Sequence, residues 1–158
     1  MREGLRALRP DLVAFQEAIV TDDYDQPRDL LGGDFHFAHQ RLREPDGSLA
    51  AEIQAPDPLG RLVFVNHIPS WHLDFEFERE VQTVAAAALV DEMLDGRAAD
   101  VILAGDLDAE PTSASVRFLS GQQSLAGTSV RFRDTWAGDH FGVTAELSAV
   151  LRDGRPVP

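Results

Sequence analysis

The residues most able to do chemistry in this chain stand where apolar runs stop. Glu17 follows Leu12-Val13-Ala14-Phe15, His67 follows Leu62-Val63-Phe64-Val65-Asn66, and Asp106 and Asp108 follow Val101-Ile102-Leu103-Ala104. Asp139 and His140 precede a further apolar stretch, Phe141 to Leu147. Strand ends are where α/β proteins assemble their sites. Four carboxylates and two imidazoles gathered at one rim would hold one or two oxygen-preferring ions and leave a base to activate water. Hydrolysis of a phosphoester is the natural use of that set.

Composition narrows the chemistry further. With no cysteine, the chain has no thiolate nucleophile, no disulfide and no sulfur-bound zinc, so carboxylate and imidazole ligands remain, and Mg2+ or Mn2+ is the expected cofactor. The 27 acidic residues against 14 basic ones give a net charge of −13, a field that repels polyanions. Nucleic acid is thereby disfavoured as a partner, and a small phosphoester or lipid headgroup carried to a bound cation is favoured. A single acidic residue is most often a solvated loop residue, and His36, His39 and His72 read as ordinary satisfied imidazoles, so only the set together points to a site.

The elements that must position these groups follow from periodicity. Leu5 and Leu8 suggest a helix ended by Pro10, and Leu12 to Phe15 a buried strand. Thr21 to Gly33 reads as a loop, rich in Asp, Pro and Gly, and the alternation from Asp34 to His39 as a strand, with a turn at Pro45-Asp46-Gly47. Leu49 to Gln54 and Arg61 to Asn66 are strands joined through Ala55-Pro56-Asp57-Pro58-Leu59-Gly60. A helix capped by Asp74 runs from about Phe77 to Leu94, with Val81, Val84, Ala85, Ala88, Leu89 and Met93 recurring at helical spacing. Val101 to Ala104 reads as a strand buried on both faces, Ser113 to Leu119 as a helix, and Ser129 to Trp136 and Gly142 to Leu151 as strands. The chain is long enough for one domain, 1–158, burying roughly 70% of its unfolded surface. Neither a leader peptide nor an apolar run of membrane-spanning length is evident, and a cytoplasmic location is expected.

In order, the segments Leu8-Arg9-Pro10-Asp11-Leu12-Val13-Ala14-Phe15-Gln16-Glu17, Val65-Asn66-His67-Ile68-Pro69-Ser70-Trp71, Leu103-Ala104-Gly105-Asp106-Leu107-Asp108-Ala109-Glu110-Pro111 and Gly138-Asp139-His140-Phe141-Gly142 resemble the motifs of the endonuclease/exonuclease/phosphatase superfamily. The resemblance implies an α/β (α+β) fold of the DNase I type, a two-sheet β-sandwich flanked by helices in four layers, α/β/β/α, here truncated. It implies that Glu17 is the main metal carboxylate, with Asp106, Asp108 and Asp139 as further metal contacts. His67 would contact the scissile phosphate, Asp106 would orient or deprotonate the attacking water, and His140 would stabilise the pentacovalent phosphate, with Asp139 fixing its tautomer. Trp71 is a candidate substrate contact, although Trp71 and Trp136 read more readily as packing anchors or rim residues.

The chain departs from the family pattern in four ways. Asp108 stands where the family has asparagine, replacing an amide donor by an acceptor that can serve a second ion. An opening strand bearing asparagine, a segment before Leu49, and a strand between Trp136 and Gly138 are missing. Losing a central strand exposes backbone groups that a partner chain could pair, so a homodimer through an exposed sheet edge is expected. Beside the enzyme stands a second reading, a silent binding or oligomerisation module on the same scaffold.

Overall fold

The computed structural model describes residues 2–39 and 47–134. Among them lie four helices and one three-stranded sheet, in the order α1 (Arg2–Leu8), α2 (Gln26–Leu31), β1 (Ser48–Gln54), β2 (Arg61–His67), α3 (Glu76–Leu94), β3 (Asp100–Ala104) and α4 (Ala114–Leu119). β2 is central, antiparallel to β1 and parallel to β3. The parallel pairing requires a crossover, and α3 supplies it. The expected second sheet does not occur among the described residues, and the expected strand Gly142 to Leu151 lies outside them.

β2 explains the layering. Val63, Val65 and His67 are fully buried on one face, and Val63 and Val65 pack with Val90 of α3, Met93, Leu94, Val101 and Leu103. Period-two alternation puts Asn66 on the opposite face from His67. A second cluster joins Ala87 of α3 to Phe118 and Leu119 of α4, with Leu107, Val130 and Phe132 against it.

Helix α3, 19 residues and about 28 Å long, is held at both ends by arginines. At its C-terminal end the Arg61 guanidinium donates to the carbonyls of Met93 and Leu94 and pairs with Glu52 at 2.7 Å. Near its start Arg79 is buried and binds loop carbonyls. The buried stripe is therefore Arg79, Thr83, Ala86, Ala87 and Val90, whereas Val81, expected inside, is 53% exposed and Ala88 is exposed too. Asp74 is not the cap: Phe75 holds that position without a side-chain hydrogen bond, and Glu76 and Glu78 in the first turn complement the helix dipole.

Five other expectations are corrected. The stretch 21–33 contains α2, where Asp25 caps the helix by accepting from the Arg28 N–H at 2.9 Å, Pro27 sits in the first turn and Gly32 follows the end. The alternation at 34–39 is real, but it seats Phe37 beneath the Arg28 guanidinium, 4.6 Å from the ring centre, rather than in a sheet. Leu12 to Phe15 is half-buried and irregular, outside any described strand, and the Phe15 carbonyl accepts from the Asn66 side chain instead of a strand partner. Of the strand expected from Ser129, the described part is irregular: the Phe132 N–H donates to the Leu119 carbonyl at 2.8 Å, so it packs on α4. β3 is only half-buried, being an edge of the described sheet.

Candidate functional site

The C-terminal ends of the parallel pair β2 and β3 are where His67, Asp106 and Asp108 stand. In register, Asn66 lies opposite Ala104, which brings His67 level with Gly105. The approach is close: a Cβ on Gly105 would fall 1.8 Å from the His67 carbonyl oxygen, and the Gly105 φ of 151° is one that other residues rarely adopt. Glycine is thus required, and Asp106 emerges directly beside the end of β2.

The loop then turns on its own side chains. The Asp108 N–H donates to Asp106 Oδ1 at 3.1 Å, and Asp108 adopts a left-handed conformation with φ 47°. Asparagine and aspartate tolerate that conformation best, which accounts for either residue standing at this position. Both carboxylates are half-buried.

His67 has no exposed surface, and its Nδ1 lies 2.8 Å from Ser48 Oγ, the directly opposite residue of β1. It sits on the helix-covered face, beneath the level at which Asp106 leaves the sheet. The two residues before Glu17 are held at the end of β2 by Asn66. Asn66 Oδ1 accepts from Gln16 Nε2, and Asn66 Nδ2 donates to the Phe15 carbonyl at 2.9 Å. Glu17 follows in a left-handed conformation, φ 52°, with its side chain in solvent.

The segment after His67 is built by residues that spacing did not reveal. Arg79, 3% exposed, donates to the carbonyls of Ser70 and Leu73, each at 3.0 Å, and to that of His72. Gln82 accepts from the Ser70 N–H at 2.7 Å. Glu76 pairs with Arg79 at 2.8 Å and accepts from the Ser115 N–H and hydroxyl, each at 3.0 Å, tying the loop to the start of α4. Burial raises the Glu76 pKa, but the Ser115 and Arg79 bonds outweigh it and leave the carboxyl below the ordinary glutamate range. The only hint in the sequence was a lone arginine inside an apolar helix face.

This clamp presents Trp71 as a rim residue, not a packing anchor: it is 68% exposed and stacks on His72 at 3.8 Å. Asp139, His140 and Trp136 lie outside the described residues. Among the described residues no three His, Asp or Glu side chains come close enough together to hold an ion. The donor chemistry of Glu17, Asp106 and Asp108, all oxygen, nonetheless fits a hard divalent cation. A hollow of about 550 Å³ opens at the acidic loop around Asp22, Asp23 and Asp25, and none of the candidates lines it.

No curated protein and no solved structure matches this chain. The model of the Endonuclease/Exonuclease/phosphatase family matches residues 1–150, nearly the whole length, and the chain belongs to that family.

Proposed function

We propose that this protein is a divalent-metal-dependent phosphoesterase acting on a phosphodiester or phosphomonoester of a small molecule or lipid headgroup. Family membership supports the reaction class, since the family hydrolyses phosphoester bonds, typically with divalent metals. The observation that carries the reading to these residues is the close seating of Gly105 on His67, which sets Asp106 at the end of β2, where Asn66 also anchors the residues before Glu17.

In this reading Glu17, Asp106, Asp108 and Asp139 hold Mg2+ or Mn2+. When bound, the ion supplies the positive charge that offsets the phosphate and acidifies water. Asp106, oriented by the Asp108 N–H, takes the proton of the attacking water. His140, steadied by Asp139, hydrogen-bonds the phosphoryl oxygens as charge builds on them. His67 would contact the scissile phosphate, and because its ring is fully buried in this structure, that contact needs the ring to be uncovered first. Trp71 offers an exposed flat face to the rest of the substrate. The net charge of −13 favours a small substrate over a long nucleic acid, and sheet edges that no described strand pairs suit a homodimer.

The test is hydrolysis of bis-p-nitrophenyl phosphate and p-nitrophenyl phosphate with Mn2+ by Glu17→Ala, Asp106→Ala and His140→Ala beside the unsubstituted chain. Loss of about 10²-fold or more in each, with melting temperatures kept, is expected. Full turnover in any folded variant would remove that residue from the site, and full turnover in all three would overturn the reading.

A further inference from the structure

Asn66 makes two bonds to one short segment fifty residues earlier in the chain. Its amide oxygen accepts from Gln16 Nε2 and its amide nitrogen donates to the Phe15 carbonyl at 2.9 Å. One carboxamide thus grips both the backbone and a side chain of the two residues immediately before Glu17. The segment needs such a grip, because it lies outside the described sheet and pairs with no described strand. Glu17 itself holds φ 52°, a conformation an unbranched L residue keeps only when its surroundings impose it.

We infer that Asn66 is a positioning residue that sets the place of Glu17, acting through Phe15 and Gln16, so that the carboxylate stands ready to take a divalent cation. The inference rests on the metal-binding role proposed for Glu17. Two amides suit the task better than an ion pair would, since a cationic partner close to Glu17 would compete with the metal, whereas a neutral amide fixes the chain and adds no charge. Asn66 also sits beside His67 on β2, with its side chain on the opposite face, so one strand end serves both faces of the sheet.

Replacing a residue that orients a metal ligand typically weakens metal binding about 10- to 100-fold. The experiment titrates Mn2+ into the full chain by electron paramagnetic resonance, comparing Asn66→Ala, Gln16→Ala, Glu17→Ala and Val63→Ala, with thermal melting alongside. Val63→Ala is the control for loosened packing, being buried in the core away from the tether. The expected result is affinity about tenfold weaker in Asn66→Ala, a smaller loss in Gln16→Ala, and unchanged affinity in Val63→Ala despite its lower melting temperature. Affinity in Asn66→Ala equal to that of the unsubstituted chain, with Glu17→Ala weakened, would overturn the tether alone. Equal losses in Asn66→Ala and Val63→Ala would overturn it as well, since general loosening would then suffice. Absence of Mn2+ binding by the unsubstituted chain, or full binding by Glu17→Ala, would overturn the metal role of Glu17 and the tether with it.

Discussion

Gly105 is the residue on which the geometry of the candidate site turns. Any side chain there meets the His67 carbonyl at 1.8 Å, and backbone cannot move aside as a flexible side chain can. Gly105→Ala should therefore lower stability by about 3 kcal/mol or more, read as a shift in the urea midpoint, through overpacking and a disfavoured φ together. An unchanged midpoint would mean that the two strand ends are not in contact. Glu76 supplies a pH-dependent counterpart. Its carboxyl lies below the ordinary glutamate range in the folded state, so its contribution is complete above the unfolded-state pKa and is lost as pH falls through the lower folded value. Acidification through that window should destabilise the chain, and Glu76→Gln should flatten this part of the profile. A pH profile identical in the two proteins would show that the Arg79 and Ser115 bonds contribute nothing.

Helix α3 does more than cover the sheet. Its first two turns organise the segment between β2 and itself, and Arg79 is the centre of that work. Arg79→Met fills similar space but strips three carbonyls of their donor, so a loss of roughly 3 kcal/mol is expected. Limited proteolysis should then cut near Trp71 faster than in the unsubstituted chain; a variant cut at the same rate would contradict the clamp.

This element also marks the limit of what the sequence discloses. Helix α3, both strands of the hairpin, β3 and α4 were legible as elements because each carries an apolar run or repeat of the length its type needs. The inward face of α3 was misread because Arg79 is buried for its hydrogen bonds, and periodicity weighs only apolar residues. Helix α2 was hidden by composition, although Asp25, Pro27 and Gly32 spell out its ends. The short apolar run at Leu12 could not be told from a strand, since its partner is a side chain fifty residues away. The same long separation kept the tether of Glu17 out of view, while Asp106 and Asp108 were readable because their loop follows β3 directly.

For the whole molecule, the family match over residues 1–150 implies a DNase I-like fold, of which the described residues supply one three-stranded sheet with helices packed on it. No helix among the described residues is long and apolar enough to cross a membrane. A molecule of net charge −13 repels polyanions and favours bound cations. The most direct test of the account is the rate of bis-p-nitrophenyl phosphate hydrolysis by the unsubstituted chain, stripped with EDTA and then titrated with Mn2+. The account predicts negligible turnover after stripping and a saturable return as Mn2+ is added; turnover that survives EDTA unchanged would contradict it.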